Sequence, residues 1–239
     1  MTSAVDAPGV TGDTVQFISD GATIRGFLAR PADAPGRRPA VVVLHEWWGL
    51  NDHTINTTRR FAQAGYTALA VDLYSRQGYT VTKDPAEAAE LMNALSSQWA
   101  LRDVNAAVRY LKALPFVDGQ CIGAAGFSMG AMTALTMAQH NSDFKAIVAF
   151  YGKTPPVESV DYFLCPVQFH HAGKDGWVTG KEVDVLKQGL IQYGKPGEVL
   201  IYPQADHAFF NETRPEVYKR DDAEAAWRSM LDFLGRYVR

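Results

Sequence analysis

A serine between glycines, an aspartate and a histidine, met in that order, carry the chemistry open to this chain. The serine is Ser128, in Gly126-Phe127-Ser128-Met129-Gly130, a G-x-S-x-G pattern. It lies between an apolar strand-like run, Cys121-Ile122-Gly123-Ala124-Ala125, and a helix-like run that starts at Ala131. That context marks a tight strand-to-helix turn that lifts a hydroxyl above a sheet. Glycines flank it because a side chain there would collide with the neighbouring strand or helix. A serine hydroxyl is a poor nucleophile at neutral pH unless an imidazole takes its proton during attack. His207, in Asp206-His207-Ala208-Phe209-Phe210, follows the last predicted strand, and Asp175, in Gly173-Lys174-Asp175-Gly176-Trp177, follows an earlier one. The chemistry these types imply is acyl transfer. Ser128 would be nucleophile and His207 general base, with Asp175 fixing the imidazole tautomer and stabilising the imidazolium. Asp175 also reads as an Asp-Gly turn residue, and the two readings are compatible. Asp206 is a rival for the acid, although a side chain adjacent to His207 usually diverges from the imidazole.

Acyl transfer also needs donors for a developing oxyanion. The N–H after the nucleophile, that of Met129, is one; Trp47, in the loop after a predicted strand at residues 40–45, is the natural second. His45 is expected to brace that loop. The pair His170-His171 reads as strand-end packing, because no Cys or carboxylate spacing accompanies it. No metal and no cofactor are expected.

The elements that must position these residues alternate in period. Residues 14–19 and 23–29 read as paired strands joined by Asp20-Gly21. Residues 40–45 form an almost continuous β-branched run, as in a strand buried on both faces of a parallel sheet. A helix over 52–64, closed by Gly65, leads to a strand at 66–73, and helices are predicted over 87–95 and 100–114. Beyond Ser128 come strands at 146–151 and 167–171, a helix at 181–193, a strand at 199–202 and a helix at 223–237. An antiparallel start followed by repeated β–α units predicts one α/β domain over residues 1–239, with a mostly parallel sheet and helices on both faces. In such sheets ligands bind beyond the carboxyl ends of strands, where the motif residues fall.

Composition excludes several partners. The 239 residues carry a net charge of −3, which leaves no basic footprint for nucleic acid or a membrane surface. Residues 1–12 lack a cationic start and an apolar core of leader length, and no apolar run reaches the roughly 20 residues that span a bilayer. Cys121 and Cys165 lie in apolar runs and read as buried free thiols. The expectation is a cytoplasmic protein, a monomer or small homo-oligomer, acting on a small molecule.

With these residues on the page, a resemblance is specific. Val43-Leu44-His45-Glu46-Trp47-Trp48-Gly49-Leu50-Asn51, Asp72-Leu73-Tyr74-Ser75-Arg76, the Ser128 turn, Ala172–Asp175 and Asp206–Phe209 resemble the dienelactone hydrolase (carboxymethylenebutenolidase) family over nearly the whole chain. The resemblance implies an α/β-hydrolase fold without a large cap, and hydrolysis of an enol-lactone to a linear acid in the breakdown of catechol-derived rings. Well-known members carry cysteine where this chain has Ser128. They hold the substrate carboxylate with two arginines: Arg76 matches the first, Asn211 stands at the second, and Arg214 lies close in sequence. Arg76 is therefore either a carboxylate-binding residue or a structural one. Glu46 matches the family's glutamate beside the nucleophile, its alternative being a surface carboxylate. Tyr74 and Tyr151 follow strands and either line the pocket or pack beneath it. Trp47, Trp48, Phe127, Phe209 and Phe210 would form an aromatic wall suited to flat or short acyl substrates.

The resulting expectation is a serine hydrolase of lactones or small carboxylic esters. Its competitors are a promiscuous short-chain carboxylesterase outside ring catabolism and a non-catalytic binding protein on the same frame.

Overall fold

Strand β1 (Val10–Ser19) turns back through Asp20 and Gly21, both at positive φ, into β2 (Ala22–Pro31). Two successive positive-φ residues make the tight hairpin whose twist matches its strands. The computed structural model describes residues 9–32 and 35–239, so residues 1–8 of the amino-terminal stretch read above lie outside the described residues. The chain continues through β3 (Arg38–Leu44), α1 (Asp52–Gln63), β4 (Thr67–Val71), α2 (Pro85–Ala94), α3 (Ser97–Ala113) and β5 (Val117–Phe127). It closes with α4 (Met129–His140), β6 (Phe144–Phe150), β7 (Val167–Ala172), α5 (Gly180–Gln192), β8 (Gly197–Tyr202) and α6 (Arg220–Tyr237).

The described strands form one sheet in the order β1-β2-β4-β3-β5-β6-β7-β8. Only the β1–β2 and β2–β4 pairings are antiparallel; from β4 to β8 all neighbours run parallel. The valine run of β3 shows why the sheet is covered on both sides. Val42 and Leu44 enter one core with α3, α4 and α5, while Val41 and Val43 enter the other with α1 and α6. Among the described residues, no helix is long and apolar enough to cross a membrane. Cys165 is buried but lies before β7 rather than within a strand, and Cys121 in β5 is only half-buried, because the amino-terminal part of β5, from Asp118 to Cys121, is open to solvent.

Parallel packing puts the carboxyl ends of β3, β5, β6, β7 and β8 along one edge. Glu46 and Trp47, Ser128, Tyr151, Asp175 and His207 all lie just past those ends.

Candidate active site

Ser128 sits between β5 and α4 at φ 50° and ψ −112°, outside the favourable regions for a side-chain-bearing residue. Its N–H donates to Phe150 O at 2.9 Å, which ties the turn to β6. The flanking glycines are sterically required. A Cβ on Gly126 would lie 2.3 Å from Gly130 O, and one on Gly130 would lie 2.3 Å from Leu44 O.

Ser128 Oγ lies 2.9 Å from His207 Nε2, and His207 Nδ1 lies 2.7 Å from Asp175 Oδ2. Asp175 Oδ1 accepts the N–H groups of Trp177 (2.8 Å) and Val178 (3.0 Å), so each carboxylate oxygen has a partner. Burial alone would raise the Asp175 carboxyl. The hydrogen bond and charge of His207, with the two N–H groups, outweigh it and hold the pKa below the ordinary value. An ionised Asp175 accepts Nδ1–H, which leaves Nε2 free to accept the Ser128 proton. Asp206, the rival acid, is half-buried and its carboxylate lies 3.8 Å from Lys219 Nζ.

Met129 is the first residue of α4, where the helix ladder offers its N–H no partner. Trp47 lies across from it. Tyr74 Oη donates to Trp47 O at 2.9 Å and lies 3.3 Å from Met129 Sδ, so one buried phenol touches both candidate oxyanion residues. Tyr74 is fully buried and is absent from the cavity wall, which assigns it to packing under the loop. His45 braces the same loop. Its Nδ1–H donates to Glu46 O and its Nε2 accepts Leu73 N–H at 3.0 Å, an arrangement only a neutral imidazole can make. Burial lowers its pKa accordingly.

Above Ser128 opens a cavity of about 480 Å³ lined by Ser128, His207, Met129, Tyr151, Trp177 and Val178 on the sheet side. Met92, Leu95 and Leu101 close it from the α2–α3 junction, and Met132, Thr133 and Thr136 from α4. The expected aromatic wall is corrected. Phe127, Phe209 and Phe210 are buried in the core beside α1 and α6, while Trp48 lines a separate cavity of about 270 Å³. Trp47 meets the wall residue Trp177 edge-on, with ring centroids 5.2 Å apart. Phe209 is thus a packing residue, whereas Tyr151 reaches the cavity.

Arg76 is the second correction. Its Nε and Nη2 donate to the two Asp103 oxygens at 2.9 and 2.8 Å, its Nη2 also bonds Ser19 O, and its guanidinium lies over Trp99. The hydrogen bond it donates to Asp103 raises the Arg76 pKa. A forked cation whose Nε–Nη2 edge is already spent on Asp103, and which lies off the cavity wall, is poorly placed to hold a substrate carboxylate. Arg214 does not replace the second arginine either: it bonds Glu216 at 2.7 Å, lies over Trp48 and lines the other cavity.

Glu46 is 2% exposed, which removes the surface reading. Its Oε1 accepts Tyr151 Oη at 3.0 Å and its Oε2 accepts Asn211 Nδ2 at 2.8 Å, so Asn211 serves as a neutral clamp on this carboxylate. Burial and the Glu46 charge push the Tyr151 phenol well up. His170 stacks on Phe150 with ring centroids 4.2 Å apart and bonds Tyr202 Oη and Gln168 Oε1, each at 2.9 Å, so its nitrogens are spent on packing partners.

Trp177, Met132, Lys153 and the α2–α3 junction were not anticipated as wall residues. Trp177 carried a usable signal, since it stands two residues past Asp175 in a loop at a strand end. The junction carried none, because it reaches the site through a long excursion between β4 and β5.

A parallel sheet with a strained serine at the turn after β5, an acid past β7 and a histidine past β8 defines an α/β-hydrolase fold. Within that class the Dienelactone hydrolase family matches residues 24–238, and the chain belongs to that family and is a hydrolase. A protein of Methylorubrum extorquens, provisionally assigned as a carboxymethylenebutenolidase, is 30% identical over 99% of this chain and 84% of its own length. A Klebsiella pneumoniae structure provisionally assigned as a dienelactone hydrolase superposes with a TM-score of 0.89 at 28% identity, covering 95% of this chain and 99% of that one. A dienelactone hydrolase-like promiscuous phosphotriesterase, P91, from metagenomic libraries gives a TM-score of 0.88 at 25% identity over 97% and 100%.

Proposed function

We propose that this chain, as a single domain in the cytoplasm, hydrolyses lactones or small carboxylic esters through an acyl-enzyme on Ser128. The observation that carries the reading is the unbroken chain Ser128 Oγ–His207 Nε2–His207 Nδ1–Asp175 Oδ2, at 2.9 and 2.7 Å, at the floor of an open cavity. Ser128 Oγ attacks the acyl carbon while His207 Nε2 takes its proton. The oxyanion forms against the Met129 and Trp47 N–H groups. The C–O bond then breaks, and the leaving alkoxide takes the proton from His207. Water repeats the sequence on the acyl-enzyme, giving net addition of one H₂O across the ester; a lactone opens to a linear acid.

Among such substrates, the charge arrangement favours neutral esters over an anionic dienelactone. Lys153 is the cationic side chain among the described wall residues, and its Nζ pairs with Glu182 at 2.7 Å. Arg76 is held by Asp103, and Asn211 stands where the family's second arginine would be. Met92, Leu95, Leu101, Met129 and Met132 give the wall apolar surface that suits an apolar acyl chain.

A fluorophosphonate probe should label wild type on Ser128 and leave Ser128→Ala unlabelled. Comparing kcat/KM on a neutral butyryl ester and an anionic dienelactone then separates the two substrate readings. An unlabelled wild type would favour a binding protein.

A further inference from the structure

Trp177 is 49% exposed, so its indole is open to solvent where it borders the cavity. Its backbone N–H donates to Asp175 Oδ1 at 2.8 Å, and the next N–H, that of Val178, donates to the same oxygen at 3.0 Å. The indole therefore stands on a loop fixed by the residue that orients His207. Its ring centroid lies 5.2 Å from that of Trp47 and 5.7 Å from the His207 imidazole, and it lines the cavity beside Ser128.

The chemistry divides this cavity into two ends. His207 Nε2 returns its proton to the departing alkoxide, so the alcohol portion of an ester must lie against the imidazole. Trp177 walls that end. The acyl portion is left the remaining wall, to which Leu95, Leu101 and Met132 contribute apolar side chains. An indole offers a flat, polarisable face, and aromatic pairs gain from such contact beyond simple area burial.

We propose that Trp177 is the leaving-group platform of this site and sets a preference for esters whose alcohol carries an aromatic ring. This rests on the serine-hydrolase reading above and adds the class of alcohol to it. Benzyl butyrate and methyl butyrate provide the test on the full-length enzyme. Both give the same butyryl-enzyme, so their kcat/KM values differ only through binding and acylation. Trp177→Ala should lower kcat/KM for benzyl butyrate about ten-fold and for methyl butyrate less than two-fold, and Trp177→Phe should restore most of the benzyl activity. Equal losses on both esters would mark Trp177 as a support for Asp175 and overturn the proposal, as would no loss on either. Fluorophosphonate labelling of the Trp177 variants keeps the two ideas apart. Labelling intact with no benzyl selectivity removes the platform alone, whereas absence of labelling in wild type removes the serine mechanism beneath it.

Discussion

The Tyr74 hydroxyl donates to the Trp47 carbonyl oxygen at 2.9 Å, linking the loop after β4 to the loop after β3 directly beneath the cavity. The bond fixes the peptide plane that follows Trp47, and Tyr74 also touches Met129 Sδ. Tyr74 lies off the cavity wall, so its expected role is to hold backbone. Tyr74→Phe keeps the ring and deletes the bond. It should lower kcat on a neutral ester about three- to ten-fold, less than loss of a direct oxyanion donor, with KM changed less than two-fold. A KM rise with kcat unchanged would instead place the phenol at the substrate.

The proposed roles of Ser128 and His207 predict strong non-additivity. Ser128→Ala and His207→Ala should each cost roughly a thousand-fold or more in kcat, and the double variant little more than either. Near-normal turnover by Ser128→Ala, or losses that simply multiply, would rule the pair out as a unit.

Glu46 tests the division of labour between carboxylate and imidazole. Both its oxygens are engaged, by Tyr151 and Asn211, and the carboxylate is buried behind the wall. A serine hydroxyl is too weakly acidic to be activated as a thiolate would be, so the proposed mechanism assigns proton transfer to His207. Glu46→Gln should therefore cost about ten-fold or less in kcat, far below the loss for His207→Ala. Ser128→Cys should keep a measurable fraction of activity, since the surrounding site resembles one that accepts a thiol at this position. Should Glu46→Gln match His207→Ala in damage, Glu46 is itself a base.

How much of this could be read before any coordinates depends on the range of the cause. The β3 valines, the glycines around Ser128 and the Asp20-Gly21 hairpin are local requirements of backbone and burial, and each lies where the pattern put it. The predicted helix 100–114 begins earlier, at Ser97, because the Ser96 side chain caps it by accepting Trp99 N–H. Arg76 was open between two roles because its fate depends on Asp103, a residue 27 positions away on another element. The charge itself is obvious in the chain; its partner is set by how α3 packs. The same holds for Phe127, Phe209 and Phe210, whose apolar character was plain while their side of the sheet was not.

The Arg76–Asp103 pair therefore predicts a stability effect in place of a specificity effect. The Asp103 side chain is 2% exposed and would be left without its cation. Arg76→Ala should destabilise by about 2 kcal/mol, discounted from the usual range for a broken buried pair because the Arg76 side chain is partly exposed. Urea unfolding reads this directly, and Arg76→Ala with Asp103→Asn should recover part of the loss. A rise in KM confined to anionic lactones, with stability unchanged, would return Arg76 to the substrate.

His170 makes a prediction about acid. Burial lowers its pKa from the ordinary 6.5 to about 3. Its Nε2–H is donated to Gln168 Oε1, so Nδ1 accepts from Tyr202 Oη, and a proton added there would force that bond to reverse in a site that burial makes hostile to charge. Between pH 6.5 and about 3 the unfolded chain holds a proton on this imidazole that the folded chain does not. The unfolded state binds more protons there, so stability falls as pH is lowered, by up to about 1.4 kcal/mol per pH unit for this one group. Buried His45, also held low, adds in the same direction. His170→Gln should be less stable than wild type at pH 8, where neither form carries the proton. Its stability should also decline less steeply from pH 7 to pH 5, by up to about one proton's worth of slope. Urea unfolding at pH 5, 6, 7 and 8 measures both, and parallel curves for the two proteins would show that His170 titrates alike folded and unfolded.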